Sequence, residues 1–167
     1  MKEDLFSPAA MSAFAAMIKD SVGEVFGTYL TWDISPGPMV VKREGDPYRP
    51  PETEVTSIVN FSGGIYGGVH LASSLPLALQ MATNFSGEAY DTIFGEAGDA
   101  LGELANMIGG GVQTRLSKEY GTIHLTPPTI ISGTNYRMQY KSNFGSVRQY
   151  FKVAGGLFYV EFFFWPG

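Results

Sequence analysis

The chain has 167 residues, with 11 Lys and Arg against 16 Asp and Glu and a net charge of −5. It has no cysteine and only two histidines, His70 and His124, which excludes disulfides, thiolate metal sites, a cysteine nucleophile and a histidine-built zinc centre. With no Lys/Arg cluster, this acidic chain lacks the means to neutralise a nucleic acid backbone or an anionic membrane surface, so neither is expected as a partner.

The predicted elements fill a single domain over 1–167. The start, Met-Lys-Glu-Asp, lacks the basic region of a signal peptide, and the apolar run 13–18 is too short to cross a bilayer. A soluble protein of the cytoplasm is expected. Ser7 followed by Pro8 opens a helix, with a hydroxyl cap and then proline at the first helical position. Met11, Phe14, Ile18, Val22 and Val25 recur at spacings of three and four, a core-facing stripe, and Gly27 reads as its stop. Residues 29–34 read as a short strand. The segment 35–51 holds five prolines and two glycines and reads as a loop or insertion, with room for a short strand at 39–41.

A hairpin follows, with strands at 55–61 and 65–72 around Ser62-Gly63-Gly64. Ser73-Ser74-Leu75-Pro76 opens a short helix with Leu75, Leu79, Ala82 and Phe85 on one face and Gly87 at its end. A long helix spans 91–118. Strands at 121–125 and 129–132 come next, separated by Pro127-Pro128. Tyr136, Met138 and Tyr140 alternate with polar neighbours, the period of a strand with one wet face. Segments 147–153 and 157–165 form a last hairpin. Strands on both sides of a helical middle, without regular strand–helix alternation, predict an α+β fold. Its largely antiparallel sheet would pack against the long helix and the N-terminal helix. Phe162, Phe163, Phe164 and Trp165 run consecutively, so some must point away from the domain's own core, where a dimer interface would cover them.

The long helix has two faces. At 100° per residue and with Asp99 at 0°, Glu103 falls at about 40° and Asn106 at about −20°, whereas Leu101, Leu104, Ile108 and Val112 fall at about 140–220°. The apolar stripe faces inward, so the Asp-Glu-Asn stripe faces out. That outer stripe is locally unfavourable. Asp99 and Glu103 are like charges one turn apart. Asn106 is a weak helix former, because its side chain competes for backbone hydrogen bonds. In Gly109-Gly110-Gly111 each glycine costs about 1 kcal/mol relative to alanine. Gly110 lies one turn beyond Asn106 on the same stripe. The residues alone leave two readings open: a solvated polar face with glycines for close packing, or a bare surface that something approaches.

Asp99-x3-Glu103-x2-Asn106, with Pro128 after 21 further residues, resembles the signature of the CheC/CheX/FliY phosphatases of bacterial chemotaxis. The flanking Leu101-Gly-Glu-Leu-Ala-Asn-Met-Ile-Gly-Gly-Gly and the later Pro-Pro-Thr-Ile-Ile-Ser-Gly are similar to the same family. One copy of the signature is present, which is closer to the single-site, dimeric CheX members than to the two-site ones. The resemblance implies hydrolysis of the aspartyl phosphate on a CheY-like receiver domain, and a homodimer. It implies that Asn106 positions the attacking water, that Glu103 pairs with the receiver's lysine, that Asp99 supports them and that Pro128 shapes the adjacent backbone. No cofactor of this chain is implied, because the receiver carries the Mg²⁺. Gly110 then becomes the point of close approach.

The chemistry is consistent with so small a toolkit. Phosphoryl transfer asks a protein mainly for positioning and charge neutralisation, and an amide can both donate to a phosphoryl oxygen and accept from a water. Three other readings compete with it. A glycosidase pair at Asp99 and Glu103 would stand on a convex helix with no sugar cleft. A metal site from these carboxylates and a histidine would be only partial. A receiver-binding adaptor or flagellar-switch component is the remaining alternative, although it would have no need of the amide.

Overall fold

The computed structural model describes residues 4–136, 138–139 and 143–165. Helix α1, Pro8–Val25, starts as its sequence dictates: Ser7 caps it by accepting a hydrogen bond from the Ala10 amide, and Pro8 sits in the first turn. Gly27 does not stop it. The helix winds on through a π-helical turn, Phe26–Leu30, which ends at Thr31 in the left-handed region. The strand expected at 29–34 is therefore absent: Tyr29 and Leu30 belong to the turn and 31–34 are irregular. The segment 35–51 is not wholly a loop either. Its first half is strand β1, Ser35–Lys42. Two prolines are tolerated there because β1 lies at a sheet edge, where missing donors are harmless.

Strands β2 (Val55–Gly63) and β3 (Tyr66–Ser73) form the expected hairpin. Helix α2, Leu75–Ser86, is capped by Ser74 and ends at Gly87 with φ 81°, a conformation that favours glycine. Its buried side chains are Leu77, Ala78, Met81 and Ala82, a face rotated from the one expected, because Leu75, Leu79 and Phe85 pack only at its margin. Helix α3, Glu96–Tyr120, is followed by β4 (Ile123–Leu125), β5 (Thr129–Ser132), β6 (Gly145–Val153) and β7 (Gly156–Trp165). The strand expected near 136–141 is not seen at Tyr136, Met138 or Gln139, and the rest of that expectation lies outside the described residues.

All seven strands form one antiparallel sheet in the order β1-β6-β7-β3-β2-β4, with β5 pairing β2 as well. This is the α+β architecture expected. The last aromatics divide by strand alternation. Phe162 and Phe164 face the helices, each with its ring centroid 5.1 Å from that of Phe14. Phe163 and Trp165 point to the opposite face, where they meet Phe144, and Phe163 also meets Tyr48. Tyr48 belongs to the irregular segment 43–54, which crosses that outer face. The aromatic run is thus covered by the chain itself, and it does not require a dimer interface.

Candidate functional site

The central register of the sheet determines how α3 is held. β2 pairs with β5 through residues 55–58 and with β4 through residues 61–63. Between them the edge is interrupted at 126–128, because Pro127 and Pro128 have no N–H to give to a ladder. Thr126 bridges the gap: its amide donates to the Asn60 carbonyl and its hydroxyl accepts from the Asn60 amide. The interruption leans onto α3. A Cβ placed on Gly102 would lie 3.1 Å from Pro128 Cγ, and one on Gly109 would lie 3.5 Å from Val59 and 3.8 Å from Leu125. Gly98 lies against the Ile93 carbonyl and Ile130. On the helical wheel Gly98, Gly102 and Gly109 fall at about −100°, −60° and −80°, a strip of missing side chains beside the Asp-Glu-Asn stripe. This seat escaped the sequence reading, although the same angular arithmetic would have found it.

On the other flank, α1 approaches just as closely. The Ser21 hydroxyl is buried and donates to the Ile108 carbonyl at 2.7 Å, and a Cβ on Gly111 would collide with Ser21. The three consecutive glycines therefore have three different surroundings. Gly109 faces the sheet, where a Cβ would make ordinary contact with Val59 and Leu125, Gly111 admits α1, and nothing lies within 4 Å of a Cβ on Gly110.

Between the two flanks the predicted stripe faces out. Asp99 and Glu103 are exposed, Asn106 and Gly110 are half-exposed, and Leu101, Leu104, Ile108 and Val112 are buried beneath them. Among the described residues, neither carboxylate and no atom of the Asn106 amide has a hydrogen-bond or ion-pair partner. Pro128 is brought beside them at Gly102, so all five predicted residues meet on one helix face and its border. The helix is convex there. A cavity of about 490 Å³ lies elsewhere, lined by Glu52, Glu54, Ser74, Tyr136 and Leu157 among others, with no residue of α3.

The histidines are not part of this face. His70 is buried on β3 with its ring centroid 4.5 Å from that of Phe163, and burial pulls its pKa down to about 3. His124 is exposed on β4. Among the described residues no three His, Cys, Asp or Glu side chains are gathered to hold a metal ion.

Fold and site together define an α+β protein that presents two bare carboxylates and an amide on a helix clasped by glycine contacts. The chain belongs to the CheX family of chemotaxis phosphatases: its residues 55–152, more than half of its length, match that family. It is 30% identical over 86 residues to the CheY-P phosphatase CheX of Thermotoga maritima, a match covering 51% of this chain and 56% of that protein. The chain thus spans little more than half the length of that relative. The fold is also that of the chemotaxis protein CheX from Desulfovibrio desulfuricans, with a TM-score of 0.79, 23% identity, and 92% and 99% of the two chains covered. The CheX–CheY–BeF3–Mg²⁺ complex from Borrelia burgdorferi superposes with a TM-score of 0.74 at 21% identity, covering 92% of this chain and 98% of that one.

Proposed function

We propose that this chain is an aspartyl-phosphate phosphatase acting on a CheY-like receiver domain in two-component signalling. The observation that carries this reading is the unpartnered Glu103/Asn106 pair on a rigidly seated, convex helix face. A convex face suits a reaction in which the partner provides the pocket. The Asn106 amide donates to a phosphoryl oxygen and its carbonyl oxygen accepts from a water held in line with the scissile bond. The water attacks phosphorus, the bond to the aspartate oxygen breaks, the carboxylate leaves with the electron pair, and the water's protons stay with the phosphate. Glu103 pairs with the receiver's lysine and sets the depth of insertion. Asp99 supports the docking turn, Pro128 fixes the neighbouring backbone, and the Mg²⁺ belongs to the receiver. The relatives support this reading, one being named a CheY-P phosphatase and another having been solved with CheY.

The test follows loss of phosphate from a phosphorylated receiver with Mg²⁺. Wild type is expected to speed it, and Asn106→Ala to lose 10²-fold or more while still binding, in the range set for removal of a positioned polar group. Glu103→Ala is expected to weaken binding. No acceleration by wild type would leave a receiver-binding adaptor as the better description. An Asn106→Ala variant as active as wild type would remove the water-positioning role.

The family resemblance further implies a homodimer, and we place it in the cytoplasm with its receiver. The free margin of β1, with Met39 43% and Val40 44% exposed, offers a sheet edge to a second copy. No helix of the described residues is long and apolar enough to cross a membrane. Sedimentation at micromolar concentration is expected to give twice the chain mass, and a monomer would overturn the dimer.

A further inference from the structure

Phe94 is 75% exposed, the most exposed of the large apolar side chains among the described residues. It is not on a loose end. Its neighbour Ile93 is buried, with a carbonyl that lies against Gly98. The Phe94 amide donates to the Thr92 hydroxyl at 3.3 Å, and Gly95, at φ 72°, turns the chain into α3, where its carbonyl accepts from the Asp99 amide. The backbone of Phe94 therefore runs from the Gly98 side of the helix to Gly95, which falls at about −40° on the wheel, the side of Asp99 and Asn106. Gly95 and Asn106 are eleven residues apart, about 16 Å along the axis. A docking footprint of about 800 Å² per partner spans that distance.

The charge along this stretch of the chain has one sign. From residue 71 to residue 114 there is no Lys, Arg or His, whereas Glu88, Asp91, Glu96, Asp99 and Glu103 are all exposed. An exposed aromatic on an anchored backbone, beside polar residues, has the character of an interface anchor. A second copy is a poor occupant, since an isologous contact would set these acids against themselves.

We propose that Phe94 is a docking anchor for the receiver, entering an apolar recess with a basic rim beside the receiver's phosphorylation pocket. This rests on the phosphatase reading above and names the partner's chemistry at a second point of the same interface. Phe94 touches no reacting atom and acts by positioning.

The test uses the full chain and a CheY-like receiver activated with beryllofluoride and Mg²⁺ for binding, and the phosphorylated receiver for turnover. Phe94→Ala is expected to melt like wild type, to raise Kd tenfold or more and KM in parallel, and to leave kcat within twofold. Phe94→Leu is expected to recover most of the affinity. Neutralising Glu88, Asp91 and Glu96 together is expected to slow association and flatten its dependence on salt. If wild type neither binds nor dephosphorylates the receiver, the phosphatase reading and the anchor fall together. If wild type does both and Phe94→Ala binds within twofold of it, the anchor alone is wrong. A fall in kcat at unchanged Kd would also overturn it, and so would a change in oligomeric state alone.

Discussion

On the phosphatase reading, Gly110 separates stability from function at a single position. A glycine inside a helix costs about 1 kcal/mol relative to alanine, and here no neighbour needs the space. Gly110→Ala is therefore expected to raise unfolding free energy by about 0.5–1 kcal/mol in urea titrations. On the phosphatase reading, Gly110→Leu is expected to melt no lower than wild type, yet to lose receiver dephosphorylation, because its side chain would stand where the receiver docks. The stripe itself was legible in the sequence, since placing Asp99, Glu103 and Asn106 needs only a helix and its pitch. The different surroundings of Gly109, Gly110 and Gly111 were not legible. They depend on Val59, Leu125 and Ser21, which are distant in the chain and meet α3 only after folding.

Among elements, strands and helices with local signals were readable and those with tertiary causes were not. The capped starts at Ser7 and Ser74 and the hairpin at 55–72 carry their own instructions. β1 does not: its prolines read as a loop until β6 is there to pair with. The π-helical turn after Val25 overrides Gly27 because burial of Phe26 and Leu30 outweighs a single glycine's preference. The seat of α3 belongs to this scale. Gly102→Leu would drive a side chain into Pro128, and is expected to cost about 1–3 kcal/mol and to shift α3 against β4 and β5. A loss of activity larger than the loss of folded fraction would mark Gly102 and Pro128 as positioning residues.

For the whole molecule, the outer face of the sheet is closed by segment 43–54 through a buried ion pair. Arg148 Nε donates to Glu161 Oε1 at 2.9 Å, the Tyr48 hydroxyl donates to the same oxygen at 3.1 Å, and Arg148 also donates to the Arg49 carbonyl. Glu161→Ala would leave Arg148 buried without its partner, and a loss of about 3–5 kcal/mol is expected. Pairing it with Arg148→Met should recover most of that loss. Tyr48→Phe removes one hydrogen bond and is expected to cost about 1 kcal/mol. His70 adds a pH dependence. Its pKa falls from 6.5 to about 3 on folding, so between those values the unfolded chain binds the extra proton. Stability is complete above pH 6.5 and falls by up to about 1.4 kcal/mol per unit below it. Burial pushes the Glu161 carboxyl up, which acts in the opposite sense, so the histidine's share is the difference between wild type and His70→Gln in denaturant titrations across pH.

The convexity of the α3 face has a consequence for metabolic insulation. A helix face that offers one amide and two carboxylates on a rounded surface gives a small phosphate ester or anhydride little to enclose it. On the phosphatase reading, half of the reacting assembly arrives with the receiver, so the chain alone is expected to leave acetyl phosphate untouched even at concentrations far above that of any receiver. Turnover would then follow encounters between two proteins rather than the pool of small phosphates around them, and a signal could be erased without draining that pool.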